Sequence, residues 1–345
     1  MKAVYITQQG PPSVLTLGER PDPKVGPGEV KVRVRAAALN HLDVFTRAGD
    51  KGTKAEFKEP RILGCDIAGE VAEVGPSVSG FKAGERVVFD PGITCGSCEF
   101  CTQGRTNLCP RYTMIGTAAD GGYAELAKAP QENVHRIPEW MGYPEAAAIP
   151  LVFITAWHML KVRANLQPGE VCLVQAAGSG VGSAAIQIAK VLGARVITTA
   201  SADDKLKKAK EWGADEVINY KQEDFTKRVM ELTNGRGADV VFDHIGSDIF
   251  EGNARCLAQE GRFVTCGVSS GHMVQLHLGR TFTRNLSYIG SRMGTKRDMH
   301  EFMRLVHQKR LRGVVAAVFP LKDAAKAHEL MESRNFYGKI VLEVA

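Results

Sequence analysis

Two stretches of this chain have residue types and spacings that could do chemistry. The first is Cys95-Gly-Ser-Cys98-Glu-Phe-Cys101, followed eight residues later by Cys109. Thiolates two residues apart in a turn can wrap one tetrahedral Zn²⁺, and a fourth closes the site. Four such ligands leave no position for a substrate, so the spacing predicts one structural zinc per chain, held by Cys95, Cys98, Cys101 and Cys109. The second is the turn Ala177-Gly178-Ser179-Gly180-Val181-Gly182. An apolar run beginning at Val171 precedes it, small and apolar residues with helix-forming character follow from Ser183 to Leu192, and a second apolar run covers Arg195 to Ala200. Strand, glycine turn, helix and strand make half of a dinucleotide-binding sheet: glycines let the backbone approach a pyrophosphate, and the helix N-terminus offers it free N–H groups. The usual G-x-G-x-x-G positions hold Ala177, Ser179 and Gly182, so the fingerprint is imperfect. The surrounding strand–helix–strand order argues for cofactor binding at Gly178, Ser179, Gly180, Val181 and Gly182 over an ordinary turn.

The end of the second strand bears on which cofactor. A carboxylate there accepts from the ribose hydroxyls of NAD. Here the strand ends Thr198-Thr199-Ala200-Ser201, with Ala200 in the acidic place. Ser201 offers a hydroxyl and Lys205 a cation, a pair suited to a 2′-phosphate. Asp203 and Asp204 stand close by and argue the other way, although acids in a first helical turn also serve as caps. The balance favours NADP(H) over NAD(H).

These motifs need a framework, and the chain has room for one. Its 345 residues allow two domains, with 44% apolar and 24% charged residues, as in an ordinary globular protein. No apolar run reaches membrane-span length, and the N-terminus lacks a signal-peptide core, so a cytoplasmic location is expected. A net charge of +6 is spread among acids and is no nucleic-acid footprint. Cys65, Cys172, Cys256 and Cys266 lie in apolar contexts and read as buried thiols.

Residues 1 to about 150 are rich in short β patterns between Gly and Pro breaks, at Lys2 to Ile6, Glu29 to Arg35, Ile67 to Val74 and Arg86 to Phe89. They predict an irregular β domain with one short helix from Asn40 to Arg47. From about 153 to 291 strands alternate with helices. Helices are expected at Asp203 to Trp212, Asp224 to Thr233 and Phe250 to Glu260. Strands are expected at Val217 to Tyr220, Asp239 to His244, Arg262 to Val268 and Leu286 to Gly290. Six strands with crossover helices predict a doubly wound parallel sheet. The tail adds helices at Arg297 to Gln308 and Leu321 to Glu332 and a strand at Lys339 to Glu343. It is too short for its own core and is expected to pack on the first domain.

The order of a β-rich domain, a cysteine lobe and a late dinucleotide unit resembles the medium-chain dehydrogenase/reductase superfamily. The segments GCDIAGEVAEVG, AAGSGVGSAAIQIAK, GADEVINY and YGKIVLEV carry the resemblance, and within the superfamily it is nearest to zinc-type quinone-oxidoreductase-like members. The resemblance implies an α/β protein: a GroES-like catalytic domain over 1–152 and 292–345 with a zinc lobe at 91–111, a Rossmann domain over 153–291, and a cofactor cleft between them. It also implies cofactor contacts at Asn40, Thr155, Tyr220, Gly267, Val268, Ile289, Gly290 and Ser291, and a homodimer or homotetramer.

Alcohol dehydrogenases of this superfamily hold a second, catalytic zinc with Cys, His and Cys. The corresponding places here are Asn40, Cys65 and Leu151, of which only Cys65 could bind zinc. Leu42 and Phe45 stand where the family's proton relay has a hydroxyl and a histidine. Without a Lewis acid a simple alcohol loses hydride poorly, whereas a conjugated carbonyl can take hydride at its β-carbon while hydrogen bonds hold the enolate oxygen. The pattern Asn40 to Asp43 resembles the zinc-free quinone reductases. The candidate catalytic residues are Asn40, Asp43 and Cys65, although Asn40 also suits a helix N-cap, Asp43 a structural hydrogen bond, and Cys65 a buried thiol.

The expectation is an NADPH-dependent reductase of small quinones or α,β-unsaturated carbonyls, with no nucleic-acid or membrane partner. A zinc alcohol dehydrogenase and a non-catalytic NADPH-binding protein are the alternatives. His158 and His244 read as core or cap residues. The loop from Gly49 to Arg61 and the segment from Ser269 to Arg284 are expected to shape the pocket. No proton donor is identifiable.

Overall fold

The computed structural model describes residues 1–50, 53, 57 and 59–345. The chain forms two compact units, Met1–Leu151 with Thr295–Ala345, and Val152–Gly294. The expected pocket role of the loop from Gly49 to Arg61 falls partly on residues outside the described ones.

The first unit is built on a seven-stranded sheet whose central strand is Glu29–Ala38. Its alternating pattern puts Val30, Val32 and Val34 in the core and leaves Arg33 exposed, the period-2 signature of a strand with one buried face. Asp66–Val74 pairs antiparallel with it on one side, matching Ala38 to Asp66. Lys339–Glu343 pairs antiparallel on the other, matching Ala38 to Val341. The tail thus supplies an interior strand of this sheet. The helix after the central strand runs His41–Ala48 and ends at Gly49, whose left-handed φ of 77° closes it. The expectation of one helix among the first 150 residues is too sparse. Short helices also form at Glu99–Thr102, where the chain winds through the cysteine lobe, and at Tyr143–Ala147, where a proline starts the first turn.

The second unit is a six-stranded, all-parallel sheet. In sheet order its strands are Glu216–Asn219, Arg195–Ala200, Val171–Val174, Ala238–Asp243, Leu257–Thr265 and Ser287–Gly290. Order reverses beside Val171–Val174, which makes this a doubly wound sheet with a topological switch point. The bounds expected for the helix at Phe250 to Glu260 and the strand at Arg262 to Val268 are wrong, the strand ending at Thr265. The helix Ser247–Cys256 stops short of Glu260, and the next strand already begins at Leu257. The pairing passes from Ala238/Leu257 to Val240/Arg262, an irregularity that accommodates Glu260 at a φ of 58°. Helical spacing in the sequence does not show that bulge. Among the described residues no helix is long and apolar enough to cross a membrane.

Candidate functional site

The four lobe cysteines come together. The Sγ atoms of Cys95, Cys98, Cys101 and Cys109 all lie within 4.8 Å of one another, with Cys95 3.9 Å from Cys101 and 3.5 Å from Cys109. A tetrahedral ion with Zn–S bonds of about 2.3 Å separates its sulfurs by about 3.8 Å, so the donor set fits zinc. The Ser97 backbone N–H is the main reason that the Cys95 thiol falls to about 5, which readies it as a thiolate. Among the described residues this is the one cluster of three or more metal-capable side chains.

The second cluster grows out of strand register. Beyond the Ala38/Val341 pair the two strands continue antiparallel, and the Leu39 N–H donates to the Ile340 carbonyl at 2.9 Å. Two residues beyond Ala38 on one strand and two before Val341 on the other bring Asn40 and Lys339 face to face. The Lys339 Nζ donates to Asn40 Oδ1, and to Asp66 Oδ2 at 2.8 Å. Because an ammonium only donates, the Asn40 amide is oriented with its oxygen toward Lys339. Its Nδ2 then donates to Asp66 Oδ2 at 2.8 Å and approaches Cys65 Sγ at 3.3 Å. The Leu151 N–H donates to Asp66 Oδ1 at 2.8 Å. All of these side chains are buried: Asp66 is 0% exposed, Lys339 3% and Asn40 6%. Burial pushes the Cys65 thiol well above its ordinary range, and Asp66 and Asp43 push it the same way.

Asn40 stands at the N-cap of its helix, in a capping box with Asp43. Asp43 reaches back to the Asn40 N–H at 2.7 Å, and its other oxygen accepts from the Gly64 N–H at 3.0 Å. Gly64 has a φ of 94°, and a Cβ there would lie 2.4 Å from the Tyr123 ring, so this tight turn needs glycine. Burial raises the Asp43 carboxyl to about 6.

In the second unit, Ser179 caps the helix Gly180–Val191, its Oγ accepting from the Gly182 N–H at 2.9 Å and meeting His244 Nε2 at 3.0 Å. The Gly180 and Val181 N–H groups, in the first turn, lack intrahelical partners and can face an anion. At the neighbouring strand ends, Ala200 pairs with Asn219, and the Tyr220 N–H donates to the Ala200 carbonyl at 3.2 Å. This brings Ser201 beside Tyr220, with Lys205 in the first turns of the helix Asp203–Glu211. The Lys221 ammonium lies 5.9 Å from the Tyr220 ring centroid. A cavity of about 280 Å³ opens at the ends of the last three strands, lined by Gly267, Val268, Ile289 and Gly290 and by Phe250 and Tyr288. Gly271, His272, Val274 and Leu276, from the segment expected to shape a pocket, line it too. The Ser291 N–H is bonded to the Thr265 carbonyl at 2.8 Å, and Thr155 Oγ1 contacts the Met293 sulfur at 3.8 Å. His158 is buried.

Sequence reasoning passed over Lys339 and Asp66. Asp66 directly precedes the strand read at Ile67 to Val74 and Lys339 opens the one read at Lys339 to Glu343; the antiparallel match of Ala38 with Asp66 and Val341 is what joins them.

Residues 26–139 match the family model described as alcohol dehydrogenase GroES-like domain, and residues 180–308 that described as zinc-binding dehydrogenase. An NAD-dependent alcohol dehydrogenase of Sulfolobus acidocaldarius is 32% identical, over 100% of both chains. An acryloyl-coenzyme A reductase of Metallosphaera sedula is 32% identical, over 99% of each chain, and a quinone oxidoreductase of Pseudomonas aeruginosa 31%, over 99% of each. A crystal structure of an NAD-dependent alcohol dehydrogenase superposes with a TM-score of 0.96 at 47% identity, covering 100% of both chains.

Proposed function

The chain belongs to the medium-chain dehydrogenase/reductase superfamily and is an NAD(P)H-dependent oxidoreductase, and on that premise we propose that it reduces quinones or α,β-unsaturated carbonyls with NADPH, without a catalytic metal. The observation that carries this reading is the closed set of Asn40, Asp66 and Lys339. At the positions where zinc alcohol dehydrogenases have three ligands, this chain has an amide already bonded on both ends, a thiol pushed up by burial, and Leu151. A buried ammonium stands among them. Such a donor set suits hydrogen bonding to a developing oxyanion and is a poor cage for a divalent cation.

A bound nicotinamide would supply hydride. Gly178, Ser179, Gly180, Val181 and Gly182 would hold its pyrophosphate, and Ser201, Lys205 and Tyr220 the 2′-phosphate. Gly267, Val268, Ile289, Gly290, Ser291 and Thr155 would hold the nicotinamide end, and Asn40 and Cys65 are the candidate catalytic residues. Asp43 fixes the Asn40 backbone and the Gly64 turn. The cysteine lobe would hold one structural zinc. We extend the reading to a cytoplasmic homodimer or homotetramer.

One observation favours a second reading, a zinc alcohol dehydrogenase using NAD: the 47% identity to the crystal structure of an NAD-dependent alcohol dehydrogenase. The two separate in one assay series. Oxidation of reduced nicotinamide by an enone or a benzoquinone, faster with NADPH and indifferent to chelator, supports the reductase. Chelator-sensitive oxidation of ethanol or benzyl alcohol, with a second zinc per chain, overturns it.

A further inference from the structure

We propose that Lys339 is the catalytic electrophile of this site: its ammonium donates to the carbonyl oxygen of the substrate as hydride arrives. The inference rests on the reductase reading and names the group that stabilises the reacting oxygen.

An oxyanion at this cluster needs an N–H or O–H that is not already committed. Asn40 has two amide hydrogens, directed to Asp66 Oδ2 and Cys65 Sγ. The Asp66 carboxylate acts here as acceptor, and three donors already reach its two oxygens: Asn40 Nδ2, Lys339 Nζ and the Leu151 N–H. The Lys339 ammonium has three hydrogens. Two go to Asn40 Oδ1 and Asp66 Oδ2, and among the described residues the third has no acceptor. The cation is also immobile. Lys339 sits on an interior strand, is 3% exposed, and is tethered at two points, so it would need little reorganisation as charge develops. At such burial its interaction with a nascent oxyanion is screened far less than in water.

The step balances. Hydride from the reduced nicotinamide forms a C–H bond at the β-carbon. The carbon–carbon π pair moves to join the α-carbon to the carbonyl carbon, and the carbonyl π pair moves onto oxygen. The Lys339 N–H holds that oxygen. Water then protonates the α-carbon, the carbonyl re-forms, and the ammonium leaves the cycle with its charge unchanged.

The test compares wild type with Lys339→Arg and with the double variant Lys339→Met, Asp66→Asn, which removes both charges together and avoids an unpaired buried carboxylate. Cofactor Kd is read by fluorescence, and kcat with an enone and with a benzoquinone. The expected result is a kcat loss of about 10²-fold in the double variant, the usual effect of deleting an oxyanion donor. Its NADPH Kd should stay within about twofold of wild type and its circular dichroism should be native. Lys339→Arg should lose less, because the charge stays but the geometry changes. An unchanged kcat in both variants overturns the inference alone. So does a defect confined to cofactor Kd, which would assign the lysine to the cofactor. No wild-type turnover with any enone or quinone overturns the parent reading, and this one with it.

Discussion

Asn219, the last residue of its strand, donates from Nδ2 to the Asp203 carboxylate at 2.7 Å, at the first residue of the helix Asp203–Glu211. Asp203 is one of the two acids that argued against a 2′-phosphate. One of its oxygens is held by the neighbouring strand end, which turns the carboxylate toward Asn219. Replacing Asn219 with Leu releases it. The kcat/KM ratio for NADPH over NADH is expected to fall several-fold in Asn219→Leu. The triple comparison of wild type, Asn219→Leu, and Asn219→Leu with Asp203→Ala should restore part of it. A ratio indifferent to Asn219 would detach this pair from cofactor choice.

The glycine turn predicts a steric effect. A Cβ at Gly182 would lie 2.3 Å from the Ala176 carbonyl and 2.8 Å from Ser179 Oγ. The first is backbone, so Gly182→Ala must move the helix start or open the turn. The expected cost is about 1–3 kcal/mol in urea unfolding, as for other overpacked sites. Cofactor affinity should drop at least about tenfold. Gly235→Ala is the comparison: its Cβ meets nothing within 4 Å, although its φ of 81° adds strain of its own.

Zinc content should follow the lobe thiols. Elemental analysis is expected to give about one zinc per chain in freshly purified protein and close to none in Cys98→Ser. The variant should unfold at lower temperature, because a bound ion stabilises only the folded state. Equal stability of the zinc-free and zinc-bound forms would remove the structural role.

Asp43 gives stability a pH dependence whose sign is fixed by its direction of shift. Burial holds its folded pKa at about 6 against an ordinary 3.8, opposed by the Asn40 and Gly64 N–H groups and Lys339, and assisted by Asp66. Below 3.8 the carboxyl is protonated in both states and its contribution is fully present. As pH rises toward about 6 the unfolded chain has already released the proton that the folded chain keeps, so stability falls, by up to about 3 kcal/mol. Asp43→Asn should flatten the urea midpoint between about pH 4 and pH 6 relative to wild type. Parallel curves would contradict the shift.

What the sequence reveals depends on the range of the interaction. The thiols at 95 to 109 form their cluster within one loop, and spacing alone predicts it. The strand, turn and helix around Gly182 are equally local, as is the cap at Asn40. The bulge at 257–261 is not local, because it answers to the pairing with Ala238 and Val240. Lys339 is the extreme case. It lies 299 positions from Asn40 and 273 from Asp66, and only antiparallel register brings them together. As a lone lysine in YGKIVLEV it looks like a strand-end charge.

That register has a consequence during synthesis. The unit holding Asn40 and Asp66 is completed by Thr295–Ala345, after the whole of Val152–Gly294 has emerged from the ribosome. Until then Asp66 has no lysine counter-charge, and the central sheet exposes a bare edge at Ala38. The Val152–Gly294 unit can fold first on the nascent chain, while the other unit waits for the strand Lys339–Glu343. The unfinished edge at Ala38 is the place a chaperone would have to shield until Lys339–Glu343 pairs with it.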